Sequence, residues 1–192
     1  RDFCLSRGLG DVYKRQVYHG ARKETIHPFD FAVKEGETIG VIGGTGSGKS
    51  TFVSLIARLY DVTSGRILYR GVDEKELKPE FIRGKIGFVP QKASLFEGSL
   101  RDNMKWGKED ATDEEIYQAL DIAQAREFVD QKEQGLDFRI EQNGGNLSGG
   151  QKQRLTIARA LVRKPEILIL DDSASALDFA TDARLRKAIK EN

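Results

Sequence analysis

The chain has 192 residues, of which 39% are hydrophobic, and its 31 basic and 30 acidic side chains leave a net charge of +1. This length can bury a core, so one domain with a subdomain is the default, and the balanced charge offers no basic face for nucleic acid. The apolar runs are too short to cross a membrane and the lone Cys4 makes no internal disulfide, so the composition predicts a soluble, cytosolic, globular protein.

Residues 1–16 show neither helical nor strand periodicity, and we interpret them as a translated vector or assembly scar. A genuine disordered leader is the alternative. Tyr18 follows, where an aromatic ring could stack on a base, although packing is the more usual role of such a residue. The next segment predicts a small antiparallel region, because apolar residues mostly alternate at Ile26, Phe29, Phe31 and Val33.

The stretch Gly43–Ser50 fits the pattern G-x-x-x-x-G-K-[ST] of a phosphate-binding loop. The residues before it, Glu37–Ile42, predict a short buried strand. The segment after it predicts an amphipathic helix, with its apolar stripe at Phe52, Leu55, Ile56 and Leu59. Strand, glycine loop and helix together are the setting that a phosphate-binding loop needs.

Glycines in such a loop let successive backbone N–H groups converge on one anion, and the helix start adds partial positive charge. Lys49 is expected to reach the β- and γ-phosphates, and the Ser50 hydroxyl to ligate Mg²⁺. The alternative is a glycine-rich turn that binds nothing. We favour a nucleotide site, because the loop pattern and both flanks agree.

Two further strands are predicted at Ile67–Tyr69 and at Ile86–Val89, the second stopped by Pro90. Gln91 comes directly after the second strand. The carboxyl ends of strands in open α/β sheets collect ligands, so this amide is a candidate site residue, although alone it would be an ordinary surface residue.

Residues 96–145 are more helical and predict an inserted helical subdomain. Thr112–Glu115 predicts a capping box, with the buried stripe of its helix at Ile116, Ala119, Leu120 and Ala123. A further, more polar helix is expected from Arg126 to Gln134.

Ser148 and Gln151 predict a second capping box, and a helix is predicted from Gln151 to Arg163. Leu155, Ala158 and Val162 give this helix one apolar face. A helix start preceded by Ser-Gly-Gly can be a second anion site. An ordinary, well-capped helix explains the same residues equally well.

The run Ile167–Leu170 is apolar throughout and predicts a central parallel strand buried on both faces. It ends in Asp171 and Asp172. Two acids at this position, in a chain with a phosphate loop, indicate Mg²⁺ and water chemistry, with two exposed turn aspartates as the alternative.

In this order, the motifs resemble the nucleotide-binding domain of ABC transporters from about Val17 onwards. Gly43–Ser50 resembles the Walker A loop, Gln91 the Q-loop glutamine and Leu147–Gln151 the LSGGQ signature. Ile167–Asp171 resembles Walker B. The D-loop is matched at Ser175–Asp178, and Leu95–Leu100 resembles the exporter branch of multidrug and lipid exporters.

The resemblance implies an α/β fold, namely a P-loop NTPase parallel-sheet core with a small antiparallel β region and an inserted helical subdomain, truncated at its C-terminus. It divides the domain into 17–94, the β region and Walker A core, 95–150, the helical subdomain, and 151–192, the Walker B and D-loop part. It implies ATP and Mg²⁺ as cofactors, with Mg²⁺ held by Ser50, Gln91 and Asp171. Catalytic roles fall to Asp172 and Gln91. Nucleotide contacts fall to Tyr18, Gly43, Gly44, Thr45, Gly46, Ser47, Gly48, Lys49, Ser50, Thr51, Gln91, Leu147, Ser148, Gly149, Gly150, Gln151 and Asp178.

The family mechanism implies two partners, a second nucleotide-binding domain, expected to be a different chain, and transmembrane domains. Two nucleotide-binding domains pack head to tail, and each ATP lies between the Walker A loop of one and the signature helix of the other. Hydrolysis then drives export, which implies a location at the cytoplasmic face of the plasma membrane.

Three features depart from the family pattern. Asp172 stands where the family usually has glutamate, and Glu141–Gly145 also differs from the usual exporter residues. Both resemble the degenerate-site half of heterodimeric exporters. The chain also stops at Asn192, before the final core strands and the switch histidine of the family, so we expect marginal stability and negligible turnover of the isolated chain.

Three other functions fit parts of the pattern. A non-transporting ABC ATPase is disfavoured, because such proteins usually carry coiled coils and no heptads occur here. A nucleotide-sensing subunit that binds ATP without hydrolysing it remains an alternative because of Asp172. A small-molecule P-loop kinase would not explain Leu147–Gln151.

Overall fold

The computed structural model describes residues 31–172 and 176–192. The chain divides into two compact units, one ending at Ile86 and the other beginning at Gly87. The predicted division at residues 94 and 150 stays a prediction. The expectations for residues 1–16, Tyr18, Ile26, Phe29 and Ser175 lie outside the described residues.

In the first unit, the predicted helix after the phosphate loop is present as α1, Lys49–Ile56. Three residues of its apolar stripe, Phe52, Leu55 and Ile56, are buried, as the spacing predicted. Leu59 lies beyond the helix end and is 47% exposed, so that part of the prediction is wrong. The unit also contains an antiparallel pair of short strands, β1 (Leu68–Tyr69) and β2 (Val72–Asp73), and the helix α2 (Pro79–Lys85).

The strand predicted at Glu37–Ile42 does not form in the structure. Its apolar side chains are exposed, and Ile42 is 98% exposed. A strand exists only through its hydrogen-bonded neighbour, and none of the strands in the described ranges pairs with this segment. Phe31 and Val33 also lie outside any strand, so the antiparallel pair of this unit is found at Leu68–Asp73 instead.

The second unit is built on helices around one hydrophobic cluster. The predicted capping box at Thr112 is confirmed, because Thr112 and Glu115 each bond the backbone N–H of the other. The helix ranges of this unit are α3 (Leu100–Lys105), α4 (Asp113–Ile122), α5 (Arg126–Asp130), α6 (Gly149–Leu161) and α7 (Phe179–Glu191).

Helix α5 ends at Asp130, several residues before the predicted end at Gln134. The residues after Asp130 are polar and offer no apolar stripe to bury, so tertiary packing does not prolong the helix. A short 3₁₀ turn, Gly135–Asp137, follows instead. Helix α6 begins at Gly149 rather than at Gln151, because the residue after the Ser148 cap is already helical, and it ends at Leu161 rather than at Arg163.

The predicted strands before Pro90 and before Asp171 are present as β3 (Ile86–Val89) and β6 (Ile167–Leu170), and they pair with each other. The amide of Asp171 donates to the carbonyl of Val89 at 3.0 Å, so the carboxyl ends of both strands lie together. Ile169 is buried, but the other residues of β6 are only partly covered, so its burial on both faces is not complete. A second, antiparallel pair joins β4 (Gly98–Ser99) to β5 (Arg139–Ile140).

Across residues 31–172 and 176–192, no helix is both long and apolar enough to span a membrane.

Candidate functional site

The phosphate loop of the first unit is a tight turn that leads directly into α1. The amide of Ser47 donates to the carbonyl of Gly44 at 3.2 Å. Gly46 and Gly48 have φ angles of 79° and 90°, a left-handed conformation that glycine adopts without steric cost. In the described chain no side chain caps the start of α1, so its amino end keeps the partial positive charge that attracts anions.

The glycines of this loop have different surroundings. A Cβ added at Gly43 would lie 2.5 Å from Ser47 Oγ, so the Ser47 side chain leaves no room for a side chain at Gly43. A Cβ at Gly44 or Gly46 would meet no atom within 4 Å. The loop is therefore closed on one side and open on another, and the open side suits an anion that approaches the backbone.

Lys49 folds back onto the loop that precedes it. Its Nζ donates to the carbonyl oxygens of Gly43 at 2.6 Å and Gly44 at 2.9 Å, and it lies 3.5 Å from Ser47 Oγ. Phosphate oxygens are stronger acceptors for an ammonium group than neutral carbonyls, because they are charged. The lysine is thus held beside the open side of the loop by bonds that a phosphate can replace.

In the second unit, Gln91 and Asp172 are brought together. Gln91 Nε2 donates to Asp172 Oδ2 at 3.1 Å, across the paired ends of β3 and β6. The backbone of Asp172 is left-handed, with a φ of 48°, a conformation that aspartate tolerates better than most residues. The amide and the carboxylate lie at the strand ends, as the sequence predicted.

The predicted Mg²⁺ ligands offer hydroxyl, amide and carboxylate oxygens, which are the donor types that Mg²⁺ prefers. Ser50 belongs to the first unit, whereas Gln91 and Asp171 belong to the second. Among the described residues no group of three His, Cys, Asp or Glu side chains could hold a metal ion by itself. These donor types suit Mg²⁺, and the predicted ligand set itself stays a prediction.

The start of helix α6 forms the predicted capping box. The Ser148 hydroxyl accepts from the amide of Gln151 at 3.2 Å, and Gln151 Oε1 accepts from the amide of Ser148 at 2.9 Å. A Cβ at Gly149 would meet no atom within 4 Å, so the surface over the first turn is open, while Leu147 beside it is buried. This second helix start is fixed by side chains rather than by a glycine loop.

Asp178 is occupied locally, as the cap of helix α7. Its carboxylate accepts from the amide of Thr181 at 2.9 Å and from the Thr181 hydroxyl at 2.7 Å. These two hydrogen bonds hold the pKa of Asp178 below its ordinary value. The nucleotide contact predicted for Asp178 stays a prediction.

Sequence reasoning missed Arg154, which lies one turn along α6 from the capping box. Its guanidinium is partly buried and donates to the carbonyl oxygen of Gln124 at 2.6 Å. The signal in the sequence was weak, because an arginine on a polar stretch of helix is usually solvated. Its partner is a backbone atom, which no side-chain pattern reveals.

A family model described as ABC transporter matches residues 26–175. The uncharacterized ABC transporter ATP-binding protein YfiB of Bacillus subtilis (strain 168) is 49% identical over 170 residues, which cover 87% of this chain and 29% of that protein. The probable multidrug resistance ABC transporter ATP-binding/permease protein YheI of the same strain is 42% identical over 186 residues, covering 95% of this chain and 32% of that protein.

Among solved structures, a bacterial Atm1-family ABC exporter with ATP bound superposes with a TM-score of 0.87 at 34% identity. The match covers 93% of this chain and 31% of that chain. The chain thus spans about 30% of the length of each of these three proteins.

Proposed function

Because the chain belongs to the ABC transporter family, as the ATP-binding domain of an exporter-type system with a P-loop NTPase fold, we propose that it hydrolyses ATP to power export of a substrate across a membrane. In this proposal its partners are a second nucleotide-binding domain and transmembrane domains. Nucleic acid is not among its partners. The transmembrane partners place it at the cytoplasmic face of the plasma membrane.

The observation that supports the proposal is the presence of two differently built helix starts in one chain. The loop Gly43–Ser50 offers backbone amides and a lysine, whereas the helix start at Ser148 offers an open, capped first turn. One ATP needs only one such loop. The second helix start is explained if it covers the ATP of a partner domain.

Lys49 is the residue that we expect to hold the β- and γ-phosphates of ATP. When nucleotide arrives, its Nζ exchanges the carbonyl oxygens of Gly43 and Gly44 for phosphate oxygens. This exchange moves one cation over a short distance and leaves the glycine loop in place. The positive charge then stays beside the transferring phosphoryl group throughout the reaction.

Gln91 and Asp172 are the residues that we expect to position the attacking water. The Gln91 amide donates one hydrogen bond to Asp172 and keeps its own oxygen available as a ligand. Mg²⁺, held by Asp171, Gln91 and Ser50, would neutralise phosphate charge. The Asp172 carboxylate would accept a hydrogen bond from water and orient it toward the phosphoryl group.

A regulatory half-site with little hydrolysis of its own is the second candidate function. Asp172 is one methylene shorter than glutamate, and its Oδ2 already accepts a bond from Gln91. A carboxylate held in this way has less reach toward a water molecule. Loss of a positioned base costs on the order of 10²–10⁴-fold in rate.

The test is ATP hydrolysis by the complete transporter, reconstituted in vesicles with wild-type chain or with Asp172→Ala. A working base predicts loss of nearly all activity attributable to this domain's own site. Retention of most activity, together with single-turnover hydrolysis confined to the partner site, would support the regulatory half-site. Asp110→Ala, at an exposed position, is the matched control. A wild-type transporter that binds no ATP would contradict the proposal as a whole.

A further inference from the structure

Arg154 links the start of helix α6 to the corner between α4 and α5. Its Nη1 donates to the carbonyl of Gln124 at 2.6 Å, and its Nε lies 3.4 Å from the carbonyl of Gly150. Its guanidinium carbon lies 5.0 Å from the ring centroid of Phe128, a cation–π distance. One side chain therefore contacts the capped turn and both sides of the corner.

The corner itself is shaped to present this carbonyl. Gln124 has a left-handed φ of 57°, and it follows Ala123, the C-cap residue of α4. The amide of Ala125 donates to the carbonyl of Leu120 at 2.8 Å, and the amide of Gln124 to that of Asp121 at 3.0 Å. This is the hydrogen-bond pattern of a Schellman helix end, in which the left-handed residue is usually glycine. The backbone of Gln124 is thus fixed, and its carbonyl is a fixed acceptor.

Burial lowers the pKa of Arg154, while the nearby carboxylates of Asp178 and Glu127 oppose that effect and Arg184 adds to it. The guanidinium has therefore given up part of its hydration. Arginine stays charged at neutral pH, because its pKa lies far above neutrality. The lost hydration must therefore be compensated by the fixed partners of the guanidinium. The contacts with Gln124, Gly150 and Phe128 provide that compensation.

The other side of the capped turn is in close contact with Ala176 and Leu177. A Cβ at Gly150 would lie 3.2 Å from the carbonyl oxygen of Ala176 and 3.9 Å from Leu177 Cδ2, whereas one at Gly149 meets nothing within 4 Å. Leu177 packs against the hydrophobic cluster of the unit. The turn is thus held on the Gly150 side and open on the Gly149 side.

We propose that Arg154 is a positioning residue for the ATP held by the partner domain, because it fixes the open face of the Ser148–Gly150 turn that covers that nucleotide. This inference rests on the proposed function. It differs from a purely structural role in one respect. Loss of Arg154 should weaken the partner domain's ATP site and spare the site that this chain builds with its own Lys49.

The experiment uses the complete transporter with two nucleotide-binding domains of different size, so that each can be followed on a gel. A photoactivatable ATP analogue is added and washed, and the label retained on each domain is measured. With Arg154→Lys, which keeps the charge but loses the planar fork, we expect about a tenfold loss of label on the partner domain, and less than about twofold on this chain. Arg186→Lys, at an exposed position on α7, is the matched control and should change neither label.

A second variant keeps the proposal testable if Arg154→Lys does not fold. Phe128→Leu keeps an apolar side chain under the guanidinium and removes the ring, so it should cost the partner label about two- to fivefold. Equal loss on both domains, loss on this chain alone, or unchanged label with both variants would overturn the inference. If even the wild-type transporter retains no label, the proposed function itself fails, which is a distinguishable result.

Discussion

Helix α1 has Gly48 as its N-cap and, in the described chain, no side-chain cap, whereas helix α6 has Ser148 as its N-cap inside a complete capping box. The lysine of the first helix start folds back on its own loop, and the segment before that loop is exposed. The second helix start is held by Arg154, which contacts the carbonyl oxygens of Gly150 and Gln124, and by the close approach of Ala176 to Gly150. The first site is thus arranged to exchange partners when a ligand arrives, while the second is arranged to keep its shape.

The largest expected effect tests the exchange at the first site. Lys49→Ala removes the cation that moves from loop carbonyls to phosphate oxygens, so ATP hydrolysis by the complete transporter should fall about 10²–10³-fold. Steady-state ATPase rates measure this. Lys190→Ala, an exposed lysine on α7, should leave the rate unchanged. Near wild-type activity of Lys49→Ala would remove the basis of the comparison.

The next effect tests how tightly the second unit is packed. A Cβ at Gly107 would collide with the backbone oxygen of Arg159 on α6, so Gly107→Ala should lower the free energy of unfolding by about 3 kcal/mol. Gly84→Ala is the control in the first unit, where α2 leaves open space around the residue. It should raise stability by up to about 1 kcal/mol, because alanine favours helix. Urea melts of the two variants measure these changes in unfolding free energy. Equal stability of Gly107→Ala and Gly84→Ala would contradict the difference in packing.

A smaller effect separates capping from site formation. Ser148→Ala and Thr112→Ala each remove one capping box and should each cost about 1 kcal/mol in unfolding free energy. Only Ser148→Ala should also lower ATP hydrolysis by the complete transporter, because Thr112 caps a helix outside the proposed site. Melts and ATPase rates on the same samples provide the measurement. A parallel loss of activity in both variants would indicate that stability alone is responsible.

The smallest effect is on acid sensitivity. Hydrogen bonds from Thr181 lower the pKa of Asp178 in the folded chain, so its ionised form stabilises the folded state. That contribution is complete above the ordinary aspartate pKa and is lost as the pH falls below about 4, through the lowered folded value. Asp178→Asn keeps a capping side chain but cannot titrate. Its stability difference from wild type, measured by urea melts from pH 6 to 3, should therefore shrink toward acid, and a constant difference would contradict the assignment.

The sequence predicted the local features well and the tertiary ones less well. The capping boxes at Thr112 and Ser148 depend on neighbouring residues, and both are present. The strand at Glu37–Ile42 depends on a partner elsewhere in the chain, and it is absent from the structure. A pattern of apolar residues cannot supply that partner, because strand formation is decided by pairing and burial.

The candidate site shows the same division. The motif spacing placed Lys49 beside a glycine loop and brought Gln91 and Asp172 to adjacent strand ends. The fold-back of Lys49, the local cap at Asp178 and the Arg154 contact could not be predicted, because each depends on backbone atoms whose positions are set by packing. The family match confirms which domain this is, and the roles of single residues remain predictions.

The pairing of β3 with β6 has a consequence for how the chain acquires its site. Gln91 and Asp172 are separated by 81 positions, and helices α3 to α6 lie between them. Those helices form through short-range contacts, whereas closing so long a loop carries a large entropic cost that is recovered only once both strands meet. During synthesis, the helical segment therefore leaves the ribosome before the Gln91 amide can reach the Asp172 carboxylate. The contact between Gln91 and Asp172 should therefore be among the last parts of the domain to form, and pulse-labelling hydrogen exchange during refolding would show the amides of α4 protected before those of β3.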